Sequence, residues 1–139
     1  MAFVQWQDSY SVGVTAIDLQ HKQLIAMINQ LAEAMRQGKG EAVVQSILPS
    51  LVQYTKTHFN SEEKLLNEVG YPQLAAHQAI HHKFVQHISG LVEKVKGGKM
   101  VATVSVATFL KDWLVNHILV QDKQYAAYIA QRQPVGAAR

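Results

Sequence analysis

Polar, titratable residues interrupt the apolar faces of every helical segment in this chain, and this feature constrains its fold more than any other. Four segments repeat apolar residues every three or four positions, which places them on one face of an α-helix. A histidine or glutamate stands in each of these faces where leucine would be expected. These residues are His21, His58, Glu62, His77, His81 and His117. A fold for this chain must therefore satisfy these groups in its interior.

The four amphipathic segments predict four helices joined by short, glycine-containing connections. Their expected bounds are about 17–37, 41–69, 72–96 and 102–132, with Gly38, Gly40, Gly70, Gly97 and Gly98 between them. Such segments pack most simply as an antiparallel up-down-up-down bundle, so we expect an all-α, single-domain protein over residues 1–139. Residues 1–16 show no helical period and predict an extended N-terminal arm whose aromatic residues pack on the bundle.

Two positions within the helical segments carry specific local expectations. Thr15 and Asp18 have the spacing of a capping box, which predicts hydrogen bonds that close the start of the first helix. Pro49 lies inside the second segment, where a proline removes a backbone donor and clashes with the preceding turn. We therefore expect either a kink near residues 45–49 or a later start of this helix.

The polar residues of the apolar faces lie at one level of the predicted bundle. The first and third helices start at the end where the second and fourth helices finish, so the six residues fall roughly 6 to 20 Å from that end. His58 with Glu62, and His77 with His81, are also spaced to lie one turn apart on one helix face. Five imidazoles and a carboxylate buried together are costly without a charge partner. The pattern therefore predicts a metal site.

Composition limits the chemistry of that site. The chain contains no cysteine, which excludes disulfides, thiolate zinc sites and iron–sulfur clusters, so the ligands must be nitrogen and oxygen atoms. Such ligands suit iron, zinc, copper or manganese. A closed zinc site normally has about four ligands, which makes iron the better choice for a larger ligand set.

Charge and hydropathy narrow the range of partners. The net charge of +3 is spread along the chain without a basic block, which argues against a nucleic-acid partner. No apolar run reaches the roughly 18 residues of a membrane span, and the first residues do not have the pattern of a signal peptide. We therefore expect a cytoplasmic protein without membrane insertion.

Four motifs in order resemble those of the bacterial hemerythrins. They are VGVTAIDLQH at 12–21, HFNSEE at 58–63, HQAIH at 77–81 and WLVNHI at 113–118, followed by Asp122. The resemblance covers nearly the whole chain and implies a cofactor of two iron ions with a bridging oxide or hydroxide. By resemblance, His77, His81 and His117 bind a six-coordinate iron, and His21 and His58 bind a five-coordinate iron. Glu62 and Asp122 would then bridge the two ions.

Asp122 lies at an unfavourable position on an ideal helix. It follows His117 by five residues, about 140° around the helix axis, while Gln121 occupies the position one turn after His117. We therefore predict a one-residue bulge or a wide turn between His117 and Asp122.

The five-coordinate iron that the resemblance implies has one vacant coordination position. Apolar residues near the ligands are expected to enclose it. They are Leu24, Ile25, Phe59, Trp113 and Leu114. Ordinary bundle core would show the same pattern, and both interpretations are compatible. A dry pocket withholds protons and disfavours the escape of charged species, so a bound ligand can persist there.

Four polar residues are not expected to bind metal. His82 and His87 lie off the apolar face of their helix and are expected to face solvent. Glu63 is rotated about 100° from Glu62 and is interpreted as a surface charge. Asp18 is interpreted as a first-turn helix residue, with a hydrogen bond to His21 as the alternative.

The leading hypothesis is a protein that binds dioxygen reversibly, as a carrier or store, with an oxygen-consuming enzyme as a candidate recipient. We expect a binding protein rather than an enzyme, apart from weak peroxidase-type activity. The alternatives are a di-iron enzyme that reduces peroxide or detoxifies oxygen or nitric oxide, an oxygen sensor, and a metal-free interaction bundle. A proton donor at the vacant position would favour the enzyme.

Overall fold

Four helical elements and an N-terminal arm make up the part of the chain that the computed structural model describes, residues 3–37, 40–96 and 103–132. The first three helices are α1 (Thr15–Arg36), α2 (Gly40–Glu68) and α3 (Leu74–Lys96). The fourth element consists of α4 (Thr103–His117), a π turn (Ile118–Asp122) and α5 (Lys123–Arg132). The described residues contain no strand, so the predicted all-α bundle is confirmed. Gly38, Gly97, Gly98 and Ala102, at predicted helix boundaries, lie outside the described residues.

The interior contains two apolar clusters, one on each side of a polar layer. The larger cluster receives side chains from α1, α2, α3 and α4, among them Leu31, Leu48, Ile88 and Leu110, each at most 1% exposed. The smaller cluster lies at the opposite end and contains Ile17, Leu66, Tyr125 and Ile129. The helices of the bundle are held together by contacts of α2 with α1 and α3, and of α1 with α4. Among the described residues, no helix has both the length and the apolar character needed to cross a membrane.

The arm is fixed to α1 by specific hydrogen bonds. Asn29 accepts a bond from the backbone nitrogen of Val4 and donates one to its carbonyl oxygen, both at 2.8 Å. A short 3₁₀ turn at Asp8–Tyr10 interrupts the arm and was not anticipated, and it buries the ring of Tyr10.

The predicted capping box is wrong. Val14 is the N-cap residue of α1, and no side chain caps this helix end. Asp18 instead accepts hydrogen bonds from the hydroxyl of Ser11 at 2.5 Å and from the backbone nitrogen of Val12 at 2.9 Å. Because the arm folds back over the first turn, its donors occupy the carboxylate that would otherwise close the box. Asp18 therefore ties the arm to α1.

Pro49 does not delay the start of its helix. Helix α2 begins at Gly40 and continues through Pro49 to Glu68, so the predicted later start is wrong. Buried Leu48 and Leu51 flank the proline, and their packing holds this part of the chain helical despite the lost backbone donor. The kink remains a prediction.

Candidate metal centre

Seven titratable side chains meet in the polar layer between the two apolar clusters. They come from all four elements of the bundle, and each is at most 3% exposed. They are His21 from α1, His58 and Glu62 from α2, His77 and His81 from α3, His117 from α4, and Asp122 from the π turn. The structure thus brings together every residue that the sequence singled out as a ligand.

The candidate ligand atoms form two groups that share Glu62. The larger group contains Glu62, His77, His81, His117 and Asp122, and the smaller contains His21, His58 and Glu62. Within each group, one ligand atom from every residue lies within 4.8 Å of all the others. The arrangement therefore offers two neighbouring positions for cations.

Each carboxylate directs one oxygen towards each histidine group. Oε1 of Glu62 lies 2.7 Å from Nε2 of His77, whereas Oε2 lies 3.5 Å from Nε2 of His58. Oδ1 of Asp122 lies 3.2 Å from Nε2 of His117, whereas Oδ2 lies 3.3 Å from Nε2 of His21. A carboxylate oriented in this way can bridge two cations.

The π turn places Asp122 in this layer. A π turn contains one more residue than an α-helical turn, so it rotates the following residues around the helix axis. The predicted wide turn between His117 and Asp122 is therefore confirmed. Gln121, which an ideal helix would direct inward, instead lies with its Oε1 3.1 Å from Nδ1 of His117.

Three of the histidines have a hydrogen-bond partner on the side away from the cluster. Nδ1 of His58 lies 2.6 Å from Oε1 of Gln20, and Nδ1 of His81 lies 2.7 Å from Oε2 of Glu63. Like Gln121 beside His117, these acceptors require a proton on Nδ1 and leave the lone pair of Nε2 directed at the cluster. That tautomer suits metal binding.

The interpretation of Glu63 as a surface charge is wrong. Its rotation from Glu62 directs it towards α3 rather than towards open solvent, and its side chain is 21% exposed. The sequence places Glu63 and His81 at a similar level, but their contact depends on how α2 and α3 meet, which the sequence does not give. Gln20 and Gln121 were also not predicted as partners, although each is adjacent in sequence to a candidate ligand.

The charged groups of the polar layer shift one another's pKa values. Burial alone raises the pKa of Glu62, but His21, His77 and His81 hold it well below its usual value. Burial alone lowers the pKa of His21 and of His77, yet the carboxylates of Asp122 and Glu62 raise both to about 9. The metal-free layer therefore keeps its carboxylates ionised and holds protons on these histidines.

Several atoms of the layer lack hydrogen-bond partners. Within the described part of the chain, neither ring nitrogen of His21 and neither oxygen of Asp122 is hydrogen-bonded, although all are buried. The 3.3 Å approach of His21 to Asp122 is an ion-pair contact that lacks hydrogen-bond geometry. Buried polar atoms without partners are costly, and a cation would satisfy both residues. The residues present therefore fit a metal centre.

The chain matches the family model described as the hemerythrin HHE cation binding domain over residues 12–129. It belongs to the hemerythrin family. It is 36% identical to a bacteriohemerythrin of Stenotrophomonas maltophilia, over 91% of this chain and 81% of that protein. It is 34% identical to a bacteriohemerythrin of Methylococcus capsulatus, over 90% of this chain and 95% of that protein. A crystal structure of wild-type hemerythrin has a TM-score of 0.85 at 33% identity, covering 91% of this chain and 97% of that chain.

A small apolar cavity adjoins the candidate metal centre of this hemerythrin domain. We call it the inner cavity, and its volume is about 10 Å³, close to the space that one water-sized molecule needs. It is lined by Leu24, Ile28, Leu51, Thr55, Phe59, Phe84, Leu110, Trp113 and Leu114. Of the expected pocket residues, Ile25 is buried in the same apolar cluster but does not line the cavity.

Two rings of the inner cavity lie directly on candidate ligands. Phe59 stacks on His81 with ring centres 3.7 Å apart, and Trp113 stacks on His117 with ring centres 4.5 Å apart. These contacts fix the imidazole planes and cover them with apolar surface. The wall of the inner cavity and the polar layer are therefore packed directly against each other.

The polar residues that are not expected to bind metal lie outside the polar layer. His82 and His87 are exposed, which confirms the prediction that they face solvent. Asp18 is bonded to the arm. The alternative of a hydrogen bond from Asp18 to His21 is not found, since His21 has no such partner among the described residues.

Proposed function

We propose that the protein binds dioxygen reversibly at a non-heme di-iron centre, as an oxygen carrier or store. The observation that carries this proposal is the orientation of the two carboxylates, each with one oxygen towards each histidine group. Two iron ions joined by an oxide or hydroxide would supply one electron each and a vacant coordination position.

The two groups of histidines differ in number, and this difference creates the vacancy. His77, His81 and His117 would hold one ion, and His21 with His58 would hold the other. If both carboxylates and an oxide or hydroxide were shared, the first ion would have six ligands and the second would have five. The second ion is therefore the proposed site for dioxygen.

The inner cavity supports binding rather than turnover. Apolar side chains make up most of its lining, and Thr55 supplies the one hydroxyl among the lining residues. That hydroxyl donates a 2.8 Å hydrogen bond to the carbonyl oxygen of Leu51, so its proton is already engaged. A largely apolar lining whose one hydroxyl is already engaged favours a bound ligand that leaves unchanged.

Anaerobic reduction followed by exposure to air tests this proposal. The purified protein should contain two irons per chain and develop a visible absorption band in air, which should disappear when the oxygen is removed. His77→Ala should abolish the band, whereas His82→Ala, an exposed histidine of the same helix, should leave it unchanged. Irreversible bleaching, or steady turnover of hydrogen peroxide, would support the enzyme instead. Fewer than two irons would contradict the di-iron centre.

A cytoplasmic carrier of this kind needs a consumer of the oxygen that it releases. We therefore include an oxygen-consuming enzyme in the proposal as the recipient. Cell fractionation checks the location, and oxygen uptake by cells with and without the protein checks the delivery.

A further inference from the structure

Tyr125 contacts the metal layer but belongs neither to the ligand set nor to the inner cavity. It lies in the first turn of α5, three residues after Asp122, and the two share a helix face. Its side chain is fully buried, with 0% exposure. Its hydroxyl donates a 2.9 Å hydrogen bond to Oε2 of Glu62. A buried hydroxyl thus acts directly on one of the proposed bridges.

The ring of Tyr125 is held in place from two sides. It meets the ring of His77 edge-on with centres 5.6 Å apart, and the ring of Tyr71 edge-on with centres 6.3 Å apart. Leu66 and Ile129 belong to the same apolar cluster. Because this packing already fixes the ring, the hydroxyl loses little additional conformational entropy when it bonds to Glu62.

The hydrogen bond affects only one side of the centre. Oε2 of Glu62 is the oxygen that faces His21 and His58, at 3.7 and 3.5 Å, while Oε1 faces His77 and His81. Within the described part of the chain, both oxygens of Asp122 lack a hydrogen-bond donor. The phenolic donor therefore distinguishes the two ion positions.

We propose that Tyr125 is a positioning residue that weakens Glu62 as a ligand to the ion held by His21 and His58, and so favours the ferrous state there. The inference rests on the proposed di-iron centre. A hydrogen bond to a carboxylate oxygen draws electron density away from it, and a weaker anionic donor stabilises the ion of lower positive charge. The hydroxyl keeps its proton throughout, and no covalent bond changes.

Tyr125→Phe removes the hydroxyl and keeps the ring. With two irons bound, the midpoint potential should fall, with a preference for ferric over ferrous iron about tenfold stronger, which corresponds to about 59 mV for one electron. The measurement is an anaerobic redox titration of the full chain. Tyr128→Phe is the matched control, because this residue of the same helix donates to the carbonyl oxygen of Gly70 at 2.9 Å. An unchanged potential in Tyr125→Phe would overturn the inference.

A second variant keeps the test decisive if Tyr125→Phe fails to load iron. Site-specific 3-fluorotyrosine at position 125 has a more acidic hydroxyl and donates a stronger hydrogen bond, so the potential should rise. An unchanged or lower potential would overturn the inference. So would a phenolate-to-iron absorption band that disappears in Tyr125→Phe, because Tyr125 would then be a ligand.

The two proposals fail in different ways. A chain that does not bind two irons contradicts the di-iron function itself. Suppose instead that the chain binds two irons and releases oxygen reversibly, but neither change at position 125 alters its midpoint potential. That result contradicts only the role of Tyr125.

Discussion

Oδ1 of Asp122 lies 3.2 Å from Nε2 of His117, although the two residues are five positions apart on one continuous helical element. On a regular α-helix these side chains would diverge by about 140°. The π turn between them removes that divergence and brings a carboxylate from the fourth element to face the histidines of the other helices.

Asp122→Asn should reduce the iron content from two ions to at most one per chain. The substitution keeps the volume of the side chain but removes the charge that lies close to both His117 and His21. Metal analysis of the purified variant provides the measurement. The control is Asp112→Asn on α4, an exposed position that should retain two irons. A full complement of iron in Asp122→Asn would show that this carboxylate is not a required bridge.

Glu63→Ala should make the centre lose iron to a chelator about 10 to 100 times faster than the unchanged protein. The carboxylate lies 2.7 Å from Nδ1 of His81 and holds the tautomer that directs Nε2 at the metal layer. Glu63→Gln, which keeps an acceptor oxygen, should recover part of the loss. The control is Glu68→Ala at the exposed end of the same helix. Equal rates in Glu63→Ala and Glu68→Ala would refute the positioning role.

Leu114→Ala should leave two irons in place but change the rate of oxygen release or of autoxidation. This side chain lines the inner cavity at 5% exposure, so its truncation enlarges the cavity and admits water. The loss of buried apolar volume should also lower the free energy of unfolding by about 2 to 5 kcal/mol. Stopped-flow spectroscopy and thermal unfolding measure the two effects. Leu114→Tyr, which fills the cavity, should change the same rates while keeping the iron.

Val115→Ala is the control for Leu114, because this neighbouring residue is only half-buried and does not line the inner cavity. If Leu114→Ala and Val115→Ala have the same oxygen kinetics, the assignment of the cavity to dioxygen is wrong.

Removal of the metal should reverse the pH dependence of stability. In the metal-free protein, the carboxylates raise the pKa of His21 and His77 from 6.5 to about 9 against the effect of burial. The stabilisation from these protonated histidines beside the carboxylates is fully present below pH 6.5 and is lost as the pH rises through about 9. The iron-loaded protein should instead become more stable over this range, because its ligands bind only when deprotonated. Thermal unfolding of both forms at several pH values measures these changes in stability. If the stability of both forms changed in the same direction with pH, the prediction would be contradicted.

Helical spacing was sufficient to predict the bundle and the histidines and Glu62 of the polar layer. Apolar spacing gives the helices, and the positions of His21, His58 and His117 along those helices give a common level without any knowledge of packing angles. The wide turn before Asp122 follows only from the resemblance, which makes Asp122 a ligand although helical spacing alone directs Gln121 inward. The inferences about the helices and their common level use only distances along a single helix or the order of helix ends.

Contacts between elements could not be predicted in the same way. Glu63 was assigned to the surface because its rotation from Glu62 is visible in the sequence, whereas the position of His81 opposite it depends on how α2 and α3 meet. Asp18 was assigned to a capping box because the return of the arm to α1 leaves no periodic signal. Ile25 shows a further limit, since burial in the core does not determine which buried residues border a small void.

The π turn also sets the rotation of α5 relative to α4 within the fourth element. Leu119 and Val120 within it are 43% and 45% exposed, whereas Ile118 and Asp122 at its two ends are fully buried. A single-residue deletion there would rotate Asp122 and Tyr125 together relative to His117, while the hydrophobic register of α4 stayed intact. The extra residue of this turn therefore sets the carboxylate, the phenol and the buried face of α5 together, whereas the imidazole of His117 depends on α4 alone.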